Sequence, residues 1–179
     1  MEKKPIQLIV FDVDGTLTPG MLVLGRDGET CKVFSVKDGL AISRAGRMGY
    51  RTGLITGRSS DAVRKRAEEL HMDFVFMGVG DKVSVLETVL RETGLSWEET
   101  AYMGDDWNDL AVLSRAGFSG APADSAPEVR NRVQFVSSFP GGGGAAREFI
   151  EAVWKADGRY QEALDIFLMP VTENHTIMQ

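Results

Sequence analysis

Short apolar runs, each breaking off into polar turn residues and each followed by a stretch of helical period, alternate along most of this chain. The first, Ile6 to Phe11, ends in Asp12-Val13-Asp14-Gly15-Thr16. A run of that length, bounded by turn residues, reads as a strand buried on both faces. Arg51 to Ile55, Asp73 to Met77, Thr100 to Met103, Gly117 to Gly120 and a weaker Val133 to Val136 repeat the pattern. Strands separated by helices need crossover connections, so the expected sheet is mostly parallel and covered on both faces.

The fold class is therefore α/β, a Rossmann-like three-layer sandwich. From Lys37 the period is helical, with Leu40, Ala41 and Ala45 on one side and Gly49 just past the end. Ser59 or Ser60 can cap the next helix, which carries Val63, Ala67 and Leu70. A third runs from about Asp81 to Thr93, turns Val85, Leu86, Val89 and Leu90 inward and closes at Gly94. A further helix carries Leu110 and Leu113. Ala146, Phe149, Ile150, Val153 and Trp154 define an amphipathic helix, and Tyr160, Ala163, Leu164 and Phe167 define another. One segment breaks the alternation. Met21 to Leu24, the turn Gly25-Arg26-Asp27-Gly28 and Thr30 to Val36 read as a β-hairpin over about residues 21–36, with Cys31 as a small packing residue. Gly141 to Gly144, after Pro140, lack the Gly-Lys-Ser/Thr ending of a nucleotide-binding loop and read as a flexible loop. Residues 1–168 are expected to form a single domain, followed by an aperiodic tail, 169–179.

Composition narrows the function classes. With 20 Lys and Arg against 26 Asp and Glu, the net charge is −6, so neither a nucleic-acid footprint nor a polybasic membrane patch is expected. The apolar run near the N-terminus is too short for a signal peptide, and a cytoplasmic protein is expected. One cysteine and two histidines leave no thiolate or imidazole cluster for zinc, so any metal must be held by oxygen. His71 and His175 read as bystanders.

In parallel α/β sheets the ligand crevice lies beyond the carboxyl ends of the strands. The residues there are Asp12 and Asp14, then Thr56-Gly57-Arg58, then Lys82 at a helix start, then Asp105 and Asp106. Carboxylates crowded at one rim repel each other, and a hard cation such as Mg²⁺ offsets that repulsion while leaving room for a substrate phosphate. Thr56 offers a hydroxyl, Gly57 a backbone N–H and Lys82 a cation, the parts that hold a phosphoryl group. Arg58, Ala62 and Arg66 are spaced i, i+4, i+8 along one expected helix face, and guanidinium forks suit a substrate carboxylate.

Asp12-Val13-Asp14-Gly15-Thr16, Ile55-Thr56-Gly57, Lys82 and Gly104-Asp105-Asp106-Trp107-Asn108-Asp109 resemble, in order, the four motifs of the haloacid dehalogenase superfamily of phosphatases. The resemblance implies Asp12 as the nucleophile that forms an aspartyl-phosphate, and Asp14 as the acid and then the base. It implies Thr56 and Lys82 as holders of the phosphoryl oxygens. Mg²⁺ would be bound by the Asp12 carboxylate, the Asp14 backbone carbonyl and Asp105, with Asp106 and Asp109 in support.

The stretch between Asp12 and Ile55 holds only the hairpin and one helix, which leaves no room for the cap domain that most superfamily members insert. The hairpin with its Phe34-Ser35-Val36-Lys37-Asp38-Gly39 exit, Ile55-Thr56-Gly57-Arg58 and Gly141 to Glu148 resemble the capless, tetrameric branch that acts on octulosonate phosphates. That resemblance implies a homotetramer in which a neighbour completes each active site. The implied substrate is a phosphorylated sugar acid, 3-deoxy-D-manno-octulosonate 8-phosphate. An arginine at position 58 is common in that branch, whereas the related nonulosonate 9-phosphate phosphatases can have glutamate. Gly143 departs from the branch, which usually has an arginine there. The alternatives are a nonulosonate 9-phosphate phosphatase, a broad sugar phosphatase and, in another class, a non-catalytic oligomerisation module. The last would not need both Asp12 and Asp14.

Overall fold

The strand Leu8–Phe11 (β1) lies at the middle of the molecule and has no exposed residue. Its side chains alternate between two cores: Ile9 and Phe11 enter one, Leu8 and Val10 the other. Burial on both faces is why the run is apolar without alternation. The computed structural model describes residues 4–26 and 28–168. The tail 169–179 with His175, and Asp27 of the hairpin turn, lie outside the described residues.

β1 is followed by Val23–Gly25 (β2) and Gly28–Cys31 (β3), which pair as an antiparallel hairpin, and then by the helix Val36–Arg47 (α1). The remaining elements are Arg51–Ile55 (β4), Asp61–Glu69 (α2), Phe74–Phe76 (β5), Lys82–Thr93 (α3), Thr100–Met103 (β6), Leu110–Leu113 (α4), Phe118–Ala121 (β7), Pro127–Arg130 (α5), Phe135–Val136 (β8), Ala145–Ala156 (α6) and Tyr160–Leu168 (α7). Six strands form a parallel sheet in the order β5-β4-β1-β6-β7-β8. The core containing Ile9 and Phe11 takes Ala41, Ile42 and Ala45 of α1, Val63 and Ala67 of α2, and Phe149, Ile150 and Val153 of α6. The opposite core takes Leu86 and Val89 of α3, Val112 of α4 and Val129 of α5. This is the three-layer α/β sandwich expected from the alternation. No helix among the described residues is long and apolar enough to cross a membrane.

Several local expectations need correction. Ser60 precedes α2 but makes no side-chain cap; its hydroxyl donates instead to Glu29 of the hairpin at 2.6 Å. Arg58 lies before α2 begins, so it shares no helix face with Ala62 and Arg66. Cys31 is exposed rather than packed. Ala163 is the buried residue of α7, and Phe167 is 47% exposed. The short helix α5 was not legible in the sequence.

The glycine loop is also different from the expected flexible connection. It lies backbone to backbone on the turn that follows β1, where the Gly142 amide donates to the Thr16 carbonyl at 3.0 Å, while the Gly141 amide donates to the Asp124 side chain, beyond β7, at 2.9 Å. Gly142 has φ +63°, and a Cβ there would lie 2.7 to 2.8 Å from backbone atoms of Thr18 and Pro19. Glycine is required for this approach.

Candidate active site

The strand order reverses at β1: the chain builds β4 and β5 on one side, and α3 then carries it back to β6 on the other. Parallel sheets open a crevice at such a point. The strands end level there, with Phe11 opposite both Leu54 of β4 and Met103 of β6. Asp12 is the next residue, and its amide still donates to the Met103 carbonyl at 2.9 Å, so its backbone is part of the sheet.

Lys82 opens α3 behind the cap of Asp81, which accepts from the amides of Val83 and Ser84. Its Nζ reaches Asp12 Oδ1 at 2.7 Å and Asp109 Oδ1 at 2.8 Å. Burial disfavours the Lys82 charge, but Asp109 and Asp12 outweigh it and hold the ammonium above the usual lysine value. Asp109 is fully engaged. Its Oδ1 also accepts from the buried Tyr102 hydroxyl at 2.7 Å, and its Oδ2 from the amides of Asp105 and Asp106 at 3.2 and 3.4 Å.

Asp12, Asp105 and Asp109 each bring a carboxylate oxygen within 4.8 Å of the others. Burial first, then the neighbouring Asp109, raises Asp12 to about 6. Burial and the charges of Asp12 and Asp109 raise Asp105 to about 8. Among the described residues the Asp105 side chain accepts from the Thr16 hydroxyl at 3.0 Å. Gly15, at φ +92°, lets the turn pass over this carboxylate: a Cβ there would lie 2.0 Å from Asp105 Oδ2. Two crowded carboxylates, Asp12 buried and paired with Lys82, and Asp105 half-buried with no ion-pair partner among the described residues and closed over by a glycine, fit a divalent cation. With Asp109 taken up by four donors, Asp12 and Asp105 are the side chains suited to hold it.

Asp14 sits in the turn beyond Asp12. Its Oδ1 accepts from Lys32 Nζ, and Arg58 Nε is 3.9 Å from its Oδ2. Thr56 is buried just past β4; its amide donates to Phe76 and its carbonyl accepts from Val79, fixing the exposed Gly57 beside it. The structure thus gathers Asp12, Lys82 and Asp105, with Asp14 and Arg58 paired nearby. It does not bring in Arg66, whose guanidinium donates to the Ser35 carbonyl and to Glu69. Asp106 accepts from the Trp107 amide and caps the turn Trp107–Asp109. Sequence reasoning missed Lys32 and Tyr102. A lysine in a hairpin looks solvated, and only its place between exposed Cys31 and Val33 on a period-2 segment signals an inward side chain.

A parallel sheet with an aspartate beyond its central strand, a lysine across from it and a second acidic cluster beyond the neighbouring strand defines a class. The sequence profile of haloacid dehalogenase-like hydrolases matches residues 78–148, and the chain belongs to that family. It is 34% identical over 158 residues to the 3-deoxy-D-manno-octulosonate 8-phosphate phosphatase of Escherichia coli K12, covering 88% of this chain and 84% of that one. The crystal structure of a probable YrbI-family phosphatase from Pseudomonas syringae superposes with a TM-score of 0.91 at 40% identity, covering 94% of this chain and 96% of the other. The octulosonate 8-phosphate phosphatase of Moraxella catarrhalis, solved with magnesium, phosphate and the sugar acid, gives 0.87 at 33% identity, covering 90% and 93%.

Proposed function

We propose that this chain is a Mg²⁺-dependent phosphomonoesterase that hydrolyses 3-deoxy-D-manno-octulosonate 8-phosphate to the free sugar acid and phosphate. The observation that carries this reading is Asp12, fixed at the end of β1 with Lys82 at 2.7 Å and Asp105 beside it. Similarity to phosphatases of that substrate over most of the chain supports the choice of sugar.

In this mechanism an Asp12 oxygen attacks phosphorus, and the bond between phosphorus and the ester oxygen breaks as Asp14 gives that oxygen a proton. Asp14 then takes a proton from water as the water oxygen attacks the phosphoryl group, which breaks the Asp12–phosphate bond and frees phosphate. Lys82 and the Thr56 hydroxyl hold phosphoryl oxygens whose charge grows during transfer. The Asp12 and Asp105 carboxylates and the Asp14 carbonyl would hold Mg²⁺, which when bound would supply the positive charge that lets an anionic nucleophile meet an anionic phosphate. Arg58, half exposed at the mouth, is the candidate for the substrate carboxylate, with the Gly57 amide beside it. Arg66 can take part only by leaving its contacts with Ser35 and Glu69.

Residues 1–168 act as one capless domain in this reading, and the subunits form a homotetramer in which a neighbour closes each site. Its support is the hairpin, where Met21 is 73%, Leu24 66% and Val33 64% exposed. The free thiol of Cys31 suits the reducing cytoplasm. The test of substrate is kcat/KM measured side by side for the octulosonate 8-phosphate, a nonulosonate 9-phosphate and simple sugar phosphates. Preference for the octulosonate is expected; preference for the nonulosonate, or even activity across the panel, overturns the assignment.

A further inference from the structure

Lys32 follows β3, and its side chain is only 2% exposed although it lies in a hairpin whose neighbouring residues face solvent. A lysine is buried at a cost that pairing must offset. Here two carboxylates do so: Nζ donates to Asp14 Oδ1 and lies 3.0 Å from Glu29 Oε2. Glu29 is held in turn by the Ser60 hydroxyl at 2.6 Å. An ionic chain therefore runs from the start of α2, through the hairpin, to Asp14. It ends on one Asp14 oxygen only. The other, Oδ2, is buried without a hydrogen-bond partner, with Arg58 Nε 3.9 Å away.

We propose that Lys32 is a positioning residue for proton transfer: by fixing Asp14 Oδ1 it leaves Oδ2 as the atom that passes the proton to the leaving oxygen. The proposal rests on the reading of Asp14 as the acid and base. Glu29 and Ser60 brace Lys32, which gives the hairpin a part in the chemistry as well as in assembly.

Leaving groups provide the test. An alkoxide must be protonated to leave, whereas p-nitrophenolate leaves as a stable anion and hardly needs an acid. Wild type, Lys32→Met, Lys32→Arg, Glu29→Gln and Asp14→Asn are compared by kcat/KM on the octulosonate 8-phosphate and on p-nitrophenyl phosphate, with Mg²⁺ saturating. Lys32→Met is expected to lose about 10- to 100-fold on the alkyl ester, a share of the roughly 10²- to 10⁴-fold a positioned acid supplies, and less than about threefold on the aryl ester. Lys32→Arg, which keeps a cation at Asp14, should recover most of that loss. Glu29→Gln removes only the brace and should show the same selective loss at smaller size, which keeps the test open if Lys32→Met does not fold. Equal losses on both esters, or none, in the Lys32 and Glu29 variants overturn the proposal. If Asp14→Asn itself fails to discriminate between the esters, the reading of Asp14 fails, and the proposal with it.

Discussion

Asp12 and Asp105 are each raised well above an ordinary carboxylate, to about 6 and about 8, and this gives the metal-free protein a definite pH dependence. The folded state holds these protons at pH values where the unfolded chain has released them, so these two groups make stability fall as pH rises from about 4 toward 8. Mg²⁺ must displace the same protons, so its affinity is expected to rise over that range. Thermal unfolding in EDTA and Mg²⁺ titration at pH 5.5 and 8 check both, and Asp105→Asn should flatten the dependence. Asp109 makes a different prediction. Asp109→Ala strands the buried Tyr102 hydroxyl and two amides, each costing about 1–3 kcal/mol when unsatisfied, so urea unfolding should show a loss of at least about 2 kcal/mol. Asp12, Asp14, Lys82 and Asp105 were legible because each stands just beyond a strand or at a helix start. Lys32 was not, because its place depends on the hairpin folding back onto Asp14, and neither were the contacts of Arg66 with Ser35 and Glu69, because helix spacing says nothing about which neighbour receives a side chain.

The glycine loop is the element whose structure departs most from its sequence reading. Four adjacent glycines read as freedom, but Gly142 is required because the loop touches backbone of the turn that carries Asp14. Gly142→Ala combines a positive φ with overlap at Thr18, so a destabilisation of about 1–3 kcal/mol is expected. The displaced turn should also lower kcat/KM, and denaturant unfolding with steady-state kinetics reads both effects. Strands with buried runs, and helices closed by Asp81 or Gly94, were legible to within a residue or two, since local caps and apolar period set their ends. Ser60 was not, because a hydroxyl that looks like a cap found a tertiary acceptor in Glu29.

At the scale of the whole molecule, alternation of strand and helix predicted the parallel three-layer fold, while the order β5-β4-β1-β6-β7-β8 depends on where each crossover returns. That order sets β1 at the reversal and brings Asp12 beside both Lys82 and Asp105. The exposed apolar hairpin gives a prediction of its own: light scattering at micromolar concentration should show a tetramer, and Met21→Asp with Leu24→Asp should dissociate it. The most direct test of the covalent phosphatase account is phosphate release from the octulosonate 8-phosphate by wild type and Asp12→Asn, each with Mg²⁺ and with EDTA. The account predicts turnover only by wild type with Mg²⁺, while Asp12→Asn keeps its fold and assembly. Near-normal turnover by Asp12→Asn would contradict it.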